Sequence, residues 1–568
     1  MATATSGSSR LGKIISLLLI AGLIGLGLYI LVIKKSDPAA PAGSASGQAS
    51  VSAPAPTGAD PDSAEEIVEA KTTVPVLPAP APYEPKDKTL DIELSEYAGY
   101  AGLIVANGGL APNEASPLFK KHGVKLKLAL SESEDWGRLA TGKLAASATT
   151  VDVLAVYGRS LGAVVPAQIG FSRGADGVLV RSEIKRINEL KGRIVATSQL
   201  NEADFFIRFL AKEAGLEINV MSDRKAPPDP GKINLIFCED AAQAGALFLR
   251  DVQSGSMLIA GAVSWAPFTT EVVEKSNGKV RLLVTNRNLL IIADVLLVNK
   301  GLAEQHPDLV AALVDGLLTG NRAVRDDPTA HVDTIAKAFK WDRDKTLKEL
   351  QKVHLSNMPE NRAFFSGAID AAGSFGGIYH SAVFAYGDLI KNAAPPEKLL
   401  DLRHLDALEK AGTYKDQRIA IAPIKTKTGS TLEVDPLLSK DIRFYFEPNS
   451  SKLDLTGENK AGNAENLASI KKLLQVSPGS TVLLRGHVDD SLVAKFRQQG
   501  GEPMVQKMAL GALQLSKDRA GEIRRLLIEK HTIDAKRLET HGVGWNEPIS
   551  KTDTDQNRRV EVQWFTLE

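Results

Sequence analysis

Gly158-Arg159-Ser160-Leu161-Gly162 spells Gly-x-Ser-x-Gly, the turn that lifts a serine nucleophile between a strand and a helix in hydrolases. The chain does not supply that setting. Ala163-Val164-Val165-Pro166 follows and reads as a strand with a proline, so Ser160 is expected in a connecting turn and no enzyme is predicted. Asp553-Thr554-Asp555-Gln556-Asn557 opens like a calcium loop. It lacks the later glycine and glutamate that give such a loop its turn and bidentate ligand, so a polar loop is expected. The nine histidines include no pair three or four residues apart. Cys238 is the single cysteine and supports neither an internal disulfide nor a cysteine metal site. No metal and no cofactor are predicted.

A second group of residues suits binding rather than bond making. Tyr97, Tyr100, Thr149, Thr150, Thr197, Ser198 and Trp265 fall near the ends of predicted strands. Ligands of open α/β sheets sit beyond the carboxyl ends of strands, where helix N-termini direct N–H groups into the crevice. Hydroxyls and helix N-termini suit a small anionic or polar solute, and Trp265 suits an apolar part of it. Read as ordinary local structure, the same side chains are turn residues, N-caps and a partly buried tryptophan.

The elements that must position them are legible from periodicity. Val124–Leu130 alternates as a strand does, after a short helix over Pro117–His122 that stops at Gly123. Further strands are predicted over Gly177–Val180, Arg193–Thr197, Asn234–Cys238, Val280–Thr285 and Ala293–Val298, with helices such as Glu202–Ala214 and Asp308–Val324 between them. Strands alternating with helices predict an α/β sheet covered on both faces. The stretch 88–412 is too long for one comfortable core, which predicts two lobes. The whole chain has 568 residues, with Lys+Arg 68 balanced by Asp+Glu 68 and 43% hydrophobic residues. Zero net charge argues against a nucleic-acid binder, and the apolar share excludes bulk disorder and a polytopic membrane protein.

The N-terminus departs from this pattern. The twenty residues Ile14–Ile33 carry no charge, a run of about 30 Å as a helix, enough to span a bilayer core. A cleaved signal peptide has a shorter apolar region and a small-residue cleavage site; here Lys34-Lys35 closes the run, so an uncleaved transmembrane anchor is expected, with 1–13 as a cytoplasmic tail. Arg10 and Lys13 before the span balance Lys34 and Lys35 after it, so the flanking charges leave the orientation open. Ten of the chain's 28 prolines fall within 36–87, and 34–87 is predicted to be a disordered Pro/Ala-rich linker.

Within 88–412 the residues Glu96-Tyr97-Ala98-Gly99-Tyr100, Leu118–Val124, Ser172–Arg181 and Ile187–Ala196 occur in order, followed by Ser264-Trp265-Ala266-Pro267. In that order they resemble the periplasmic substrate-binding proteins of the nitrate/sulfonate/taurine type that serve ABC transporters. The resemblance implies a two-lobed clamp around a small solute and an ABC permease as partner. Gly142-Lys143-Leu144-Ala145-Ala146 stands where that family carries a Gly-x-x-Asp segment.

After a linker over 413–434, the region 435–568 reads as a small α/β domain. Its predicted elements are a strand at Ile442–Phe446, a helix at Asn463–Leu474, a strand at Thr481–Leu484, a helix at Ser516–Lys530 and a last strand through Val560, Val562 and Trp564. Gly486-His487-Val488-Asp489, Leu515-Ser516-Lys517-Asp518-Arg519-Ala520, Gly542–Pro548 and Asn557-Arg558-Arg559-Val560-Glu561 resemble the OmpA-like peptidoglycan-binding domain found also in Pal and MotB. An insertion over 490–511 and Ala512, in place of a polar residue, depart from that family. The resemblance implies that Asp489 and Arg519 hold the zwitterionic end of a diaminopimelate side chain, Asp489 on its ammonium and Arg519 on its carboxylate. Ser516 is expected to be an N-cap, with Arg519 in the first helical turn.

Together these readings predict an N-terminal transmembrane helix, a two-lobed α/β clamp and a small α/β OmpA-like domain. They imply a protein of the bacterial cytoplasmic (inner) membrane, single-pass, with its bulk in the periplasm. It would bind peptidoglycan and a small solute, for ABC-type uptake or sensing, and no nucleic acid. A structural tether between membrane and wall, its clamp no longer holding a solute, is the alternative.

Overall fold

The computed structural model describes residues 67–131, 135–222, 226–368, 373–421, 436–447, 450–477 and 479–566. The expected span at 14–33 lies outside them. Among the described residues no helix is long and apolar enough to cross a membrane.

The first lobe begins with β1 (Thr89–Leu94), β2 (Lys125–Leu130), β3 (Ala146–Thr150) and β4 (Ala163–Ser172). The chain then crosses over 173–176 into a second sheet. That sheet comprises β5 (Gly177–Arg181), β6 (Ile194–Ser198), β7 (Ile218–Val220), β8 (Ile233–Cys238), β9 (Ile259–Ser264) and β10 (Val280–Thr285). It returns over 286–292 to add β11 (Ala293–Asn299) and β12 (Val353–Leu355) to the first sheet. The strand orders are β12-β4-β11-β3-β1-β2 and β10-β5-β9-β6-β8-β7. β1 runs parallel to β2 and β3, while β11 runs antiparallel to β3 and β4, so the sheet is mixed. β5, β6, β8, β9 and β11 are buried at every position. Helices on both faces explain why these strands read as apolar runs instead of alternating.

Local signals set the element ends. The side chain of Ser116 accepts from the Phe119 amide to start the helix Pro117–His122, and Gly123 ends it at a φ of 65°, where a Cβ would be strained. Ser160 donates to the Tyr157 carbonyl in the turn before β4. A strand, not a helix, follows it, so the serine motif is no nucleophile elbow.

The structure moves two expected boundaries. The end of the proline-rich stretch, 67–87, is not loose. Val68 bonds Phe237 of the second lobe and Lys71 exchanges two hydrogen bonds with Gln199. Further on, the Ala81 amide donates to the Ala140 carbonyl and the Tyr83 amide to Asn299 Oδ1, both in the first lobe. Fixed proline φ angles leave this strap little backbone freedom to lose on docking. The expected linker after residue 412 is likewise partly clamp: Tyr414 Oη donates to Asp315 Oδ1 at 2.8 Å, and the Ala420 and Ile421 amides donate to Glu360 Oε1 at 2.8 and 2.9 Å.

The last domain is a four-stranded sheet of β13 (Leu438–Ile442), β14 (Thr481–His487), β15 (Leu538–Gly544) and β16 (Val560–Phe565), in the order β13-β16-β14-β15. Helices Lys460–Val476 and Val493–His531 accompany it. The first strand lies four residues before its expected place, because its pairing with β16 matches Leu438 to Trp564 and buries both. The insertion 490–511 is helical: a kink at Gly500 and Gly501 precedes a helix that runs on without interruption past Ser516. Ser516 is therefore not an N-cap, and Arg519 lies inside the helix, not in its first turn.

A close helix crossing supports the first lobe. A Cβ at Gly320, in the helix Pro307–Asp326, would stand 1.9 Å from the Gly102 carbonyl oxygen. Gly320→Ala is expected to lower the clamp's melting midpoint, at a cost of about 1–3 kcal/mol from overpacking. Gly376→Ala, in a helix where a Cβ meets nothing within 4 Å, should raise it slightly. Thermal unfolding followed by circular dichroism checks both, and equal effects would remove the packing argument.

Candidate functional sites

The cleft between the lobes opens beside the two crossings. Tyr97, Tyr100, Thr149, Thr150 and Trp265 all line it, as their strand-end positions predicted. Thr197 and Ser198 do not. Ser198 is committed to Asn201, the N-cap of the helix Glu202–Glu213, at 3.0 and 2.7 Å, and Thr197 is buried within β6.

The lining's charge does not suit an anion, one of the two kinds of solute expected, anionic or polar. Glu93, Asp135, Asp176, Glu202 and Asp294 line the cleft, and among the described residues no Lys, Arg or His does. Asp294, the second residue of β11, accepts from Tyr97 Oη at 3.4 Å and Tyr100 Oη at 3.3 Å. The two rings meet edge to face at 5.2 Å. Asp176, on the first crossing, accepts from the Ser172 hydroxyl and from Asn286 Nδ2, the latter at 3.2 Å. Burial pushes the Asp176 carboxyl up to about 6. Burial, reinforced by Asp176, raises the Asp294 carboxyl well above the usual range. Glu93 is also raised by burial but pairs with Arg138. None of these acids could be singled out in the sequence, because nothing local marks which carboxylates share one space.

The second site lies at one end of the last sheet. A Cβ on Gly486 would stand 1.9 Å from the Ser516 carbonyl oxygen, and one on Gly542 would stand 2.5 Å from that of Leu513. Glycine thus lets the long helix lie directly on β14 and β15. Ser516 completes the junction, donating to the Leu513 carbonyl at 2.8 Å and accepting from the Gly544 amide at 3.0 Å. One turn later the Arg519 guanidinium lies over the Phe446 ring at 4.8 Å. Its Nε is buried without a hydrogen-bond partner among the described residues. Burial, and then Arg558, lower the Arg519 pKa, while Asp489 opposes them.

Asp489 follows β14 and accepts from the Ser491 amide at 3.1 Å, and its other oxygen pairs with Arg558 Nε at 3.3 Å. Asn557 positions Arg558 by accepting from the Ile549 and Ser550 amides at 2.9 and 3.0 Å. Asp489 thus forms its ion pair with Arg558, and Arg519 feels its charge from nearby; Arg558 is the member that sequence reasoning passed over. The Asn-Arg-Arg-Val-Glu run carried the signal.

Beside this site His487, Glu547 and Glu561 place candidate ligand atoms within 4.8 Å of one another. Arg485 bonds Glu547 at 2.8 Å and Glu561 at 2.5 Å, so the carboxylates already have a counter-charge. Against the effect of burial, His487, Gln563 and Arg485 hold the Glu561 carboxyl down at about 2. A depressed carboxyl stabilises the fold above its unfolded pKa and loses that contribution as pH falls towards its folded value. Glu561→Gln is therefore expected to destabilise the last domain at neutral pH by on the order of 2 kcal/mol. The gap should narrow as pH falls from about 4.5 towards about 2. Unfolding curves at pH 7 and pH 3 check this; an equal gap at both would contradict it.

Residues 445–561 match the OmpA family. A stretch of 149 residues, 26% of this chain and 36% of the relative, is 24% identical to outer membrane protein Omp38 of Acinetobacter baumannii. The same-named protein of a second strain is 24% identical over 128 residues, 22% of this chain and 30% of the relative. The chain thus spans about a third of the length of these relatives. Among solved structures, the periplasmic aliphatic sulphonate binding protein SsuA of Escherichia coli is 15% identical, with a TM-score of 0.42. It covers 56% of this chain and 98% of its own. The alkanesulfonate-binding protein SsuA of Xanthomonas axonopodis pv. citri, bound to MOPS, is 14% identical with a TM-score of 0.42, over 56% of this chain and 100% of its own. Residues 445–561 are an OmpA-family domain, carried at the end of a chain whose larger part folds as a two-lobed α/β clamp.

Proposed function

We propose that this chain is a bacterial envelope protein that grips peptidoglycan through Asp489 and Arg519 and closes its clamp on a small solute, for ABC-type uptake or sensing. The observation that carries the first part is a half-buried guanidinium whose Nε has no hydrogen-bond partner among the described residues, stacked on Phe446 and within reach of the Asp489 charge. The end of a diaminopimelate side chain bears an ammonium and a carboxylate on one carbon. Asp489 accepts from the ammonium, and the planar fork of Arg519 bonds the carboxylate. Arg558, which shares Asp489, adds positive charge on the carboxylate side.

The solute reading is supported by a cleft that both lobes and both crossings line. A tether whose clamp holds no solute is the second reading, favoured by the strap at 67–87 that bonds both lobes and so restrains their opening. Peptidoglycan lies outside the cytoplasmic membrane, so this function needs residues 36–568 in the periplasm, with 14–33 as the anchor and the N-terminus inside.

Truncating one partner of a desolvated charge pair costs about 2–5 kcal/mol. Asp489→Ala and Arg519→Ala should each weaken retention on purified sacculi tenfold or more. Unchanged retention of the double variant would overturn the assignment. For topology, a phosphatase reporter fused after Glu568 should be active, and a fusion active only in its cytoplasmic form would contradict the orientation.

A further inference from the structure

We propose that the clamp's solute is a small organic cation, an amine or quaternary ammonium that also carries an acceptor oxygen. In this proposal the cation is seated on the carboxylates of Asp176 and Asp294 between aromatic rings. This rests on the reading of the cleft as a solute site and gives that solute its charge.

Among the described residues, five carboxylate side chains and no basic one line the cleft. Three of the five have other partners within the protein, Glu202 among them. Glu93 pairs with Arg138, and Asp135 accepts from the Gly137 amide at 3.0 Å as a helix N-cap. Asp176 and Asp294 are 4% and 3% exposed and form no ion pair with any described residue. Their partners are the Ser172, Tyr97 and Tyr100 hydroxyls and the Asn286 amide. Arg173, close in sequence, donates instead to the Arg287 carbonyl at 2.6 Å. A buried carboxylate without a counter-charge is unfavourable, and an arriving cation relieves that penalty where an anion deepens it.

The rest of the wall fits the same ligand. Tyr97, Tyr100, Trp136 and Trp265 line the cleft, and aromatic faces attract desolvated organic cations. Polar atoms there without a partner among the described residues include Thr149 Oγ1 and Trp265 Nε1, on residues 3% and 7% exposed. An ammonium N–H can donate to the threonine hydroxyl. The indole N–H only donates, so it calls for an oxygen on the ligand, as in an amino alcohol.

Full-length protein is titrated with choline and ethanolamine, and separately with ethanesulfonate, nitrate and phosphate, following tryptophan fluorescence and melting midpoint. Native mass spectrometry of the same preparation reads any co-purified molecule. The expected result is a saturable response to the cations alone, or a co-purified cation. Asp294→Asn and Asp176→Asn should each weaken cation binding tenfold or more. The unliganded midpoint should hold or rise, because a buried unpaired carboxylate has been removed; a purely structural role for these acids would lower it. A saturable response to the anions alone, or a co-purified anion, overturns the cation and leaves the solute clamp standing. No response to any probe and no co-purified molecule overturns both. The wild-type titrations decide the sign of the ligand even where a variant does not fold.

Discussion

Two chain crossings hold the clamp's sheets together, and one side chain ties the crossings to each other. Asn286 Oδ1 accepts from the Gly174 amide at 2.8 Å and the Asp176 amide at 3.2 Å, while its Nδ2 donates to the Asp176 carboxylate. The Asn286 amide in turn donates to the Asp176 carbonyl at 3.0 Å. Backbone polar groups buried away from both sheets need partners, and one asparagine meets several of these needs. The arrangement also fixes where the cleft's acids lie, since Asp176 is on the first crossing and Asp294 is the second residue of β11, just past the other crossing.

The same crossing meets the OmpA-family domain. The Leu290 amide, on the returning crossing, donates to the Val476 carbonyl at 2.9 Å, at the end of the helix Lys460–Val476. Asn188 of the second lobe exchanges two hydrogen bonds with Ser439, each at 2.8 Å, and the Ile187 amide donates to the Leu437 carbonyl. One buried apolar cluster runs from the crossing residues Leu289–Ile292 through Leu438 to Trp564. The crossings therefore have a continuous packed path to the OmpA-family domain. Coupling needs such a contiguous packed element, although contiguity alone does not establish it.

Charge in the two sites is arranged in opposite ways. In the last domain Arg485 has counter-charges in Glu547 and Glu561, whereas Arg519 is held over an aromatic face with an Nε that has no hydrogen-bond partner among the described residues. In the cleft the groups without a counter-charge among the described residues are the Asp176 and Asp294 carboxylates. Groups left uncompensated at low dielectric are disfavoured within the fold itself, so they concentrate where a ligand supplies the missing charge.

The sequence by itself determined the elements and their kind. Val280–Thr285 and Pro117–His122 were readable to the residue, because periodicity, caps and stop glycines act over a few neighbours. It also determined the OmpA-family end, whose glycines and charged residues recur at fixed places in short runs. Ser516 was misread as a cap for an equally local reason: a serine before a helical run looks the same whether the helix starts there or passes through. Which strand end a hydroxyl serves was only partly legible, so Tyr97 and Trp265 reached the cleft while Ser198 was taken by Asn201. Only the tertiary structure decided the sign of the cleft and the course of the strap at 67–87. Both depend on groups distant in the chain sharing one space, where burial decides how much each unpaired charge matters.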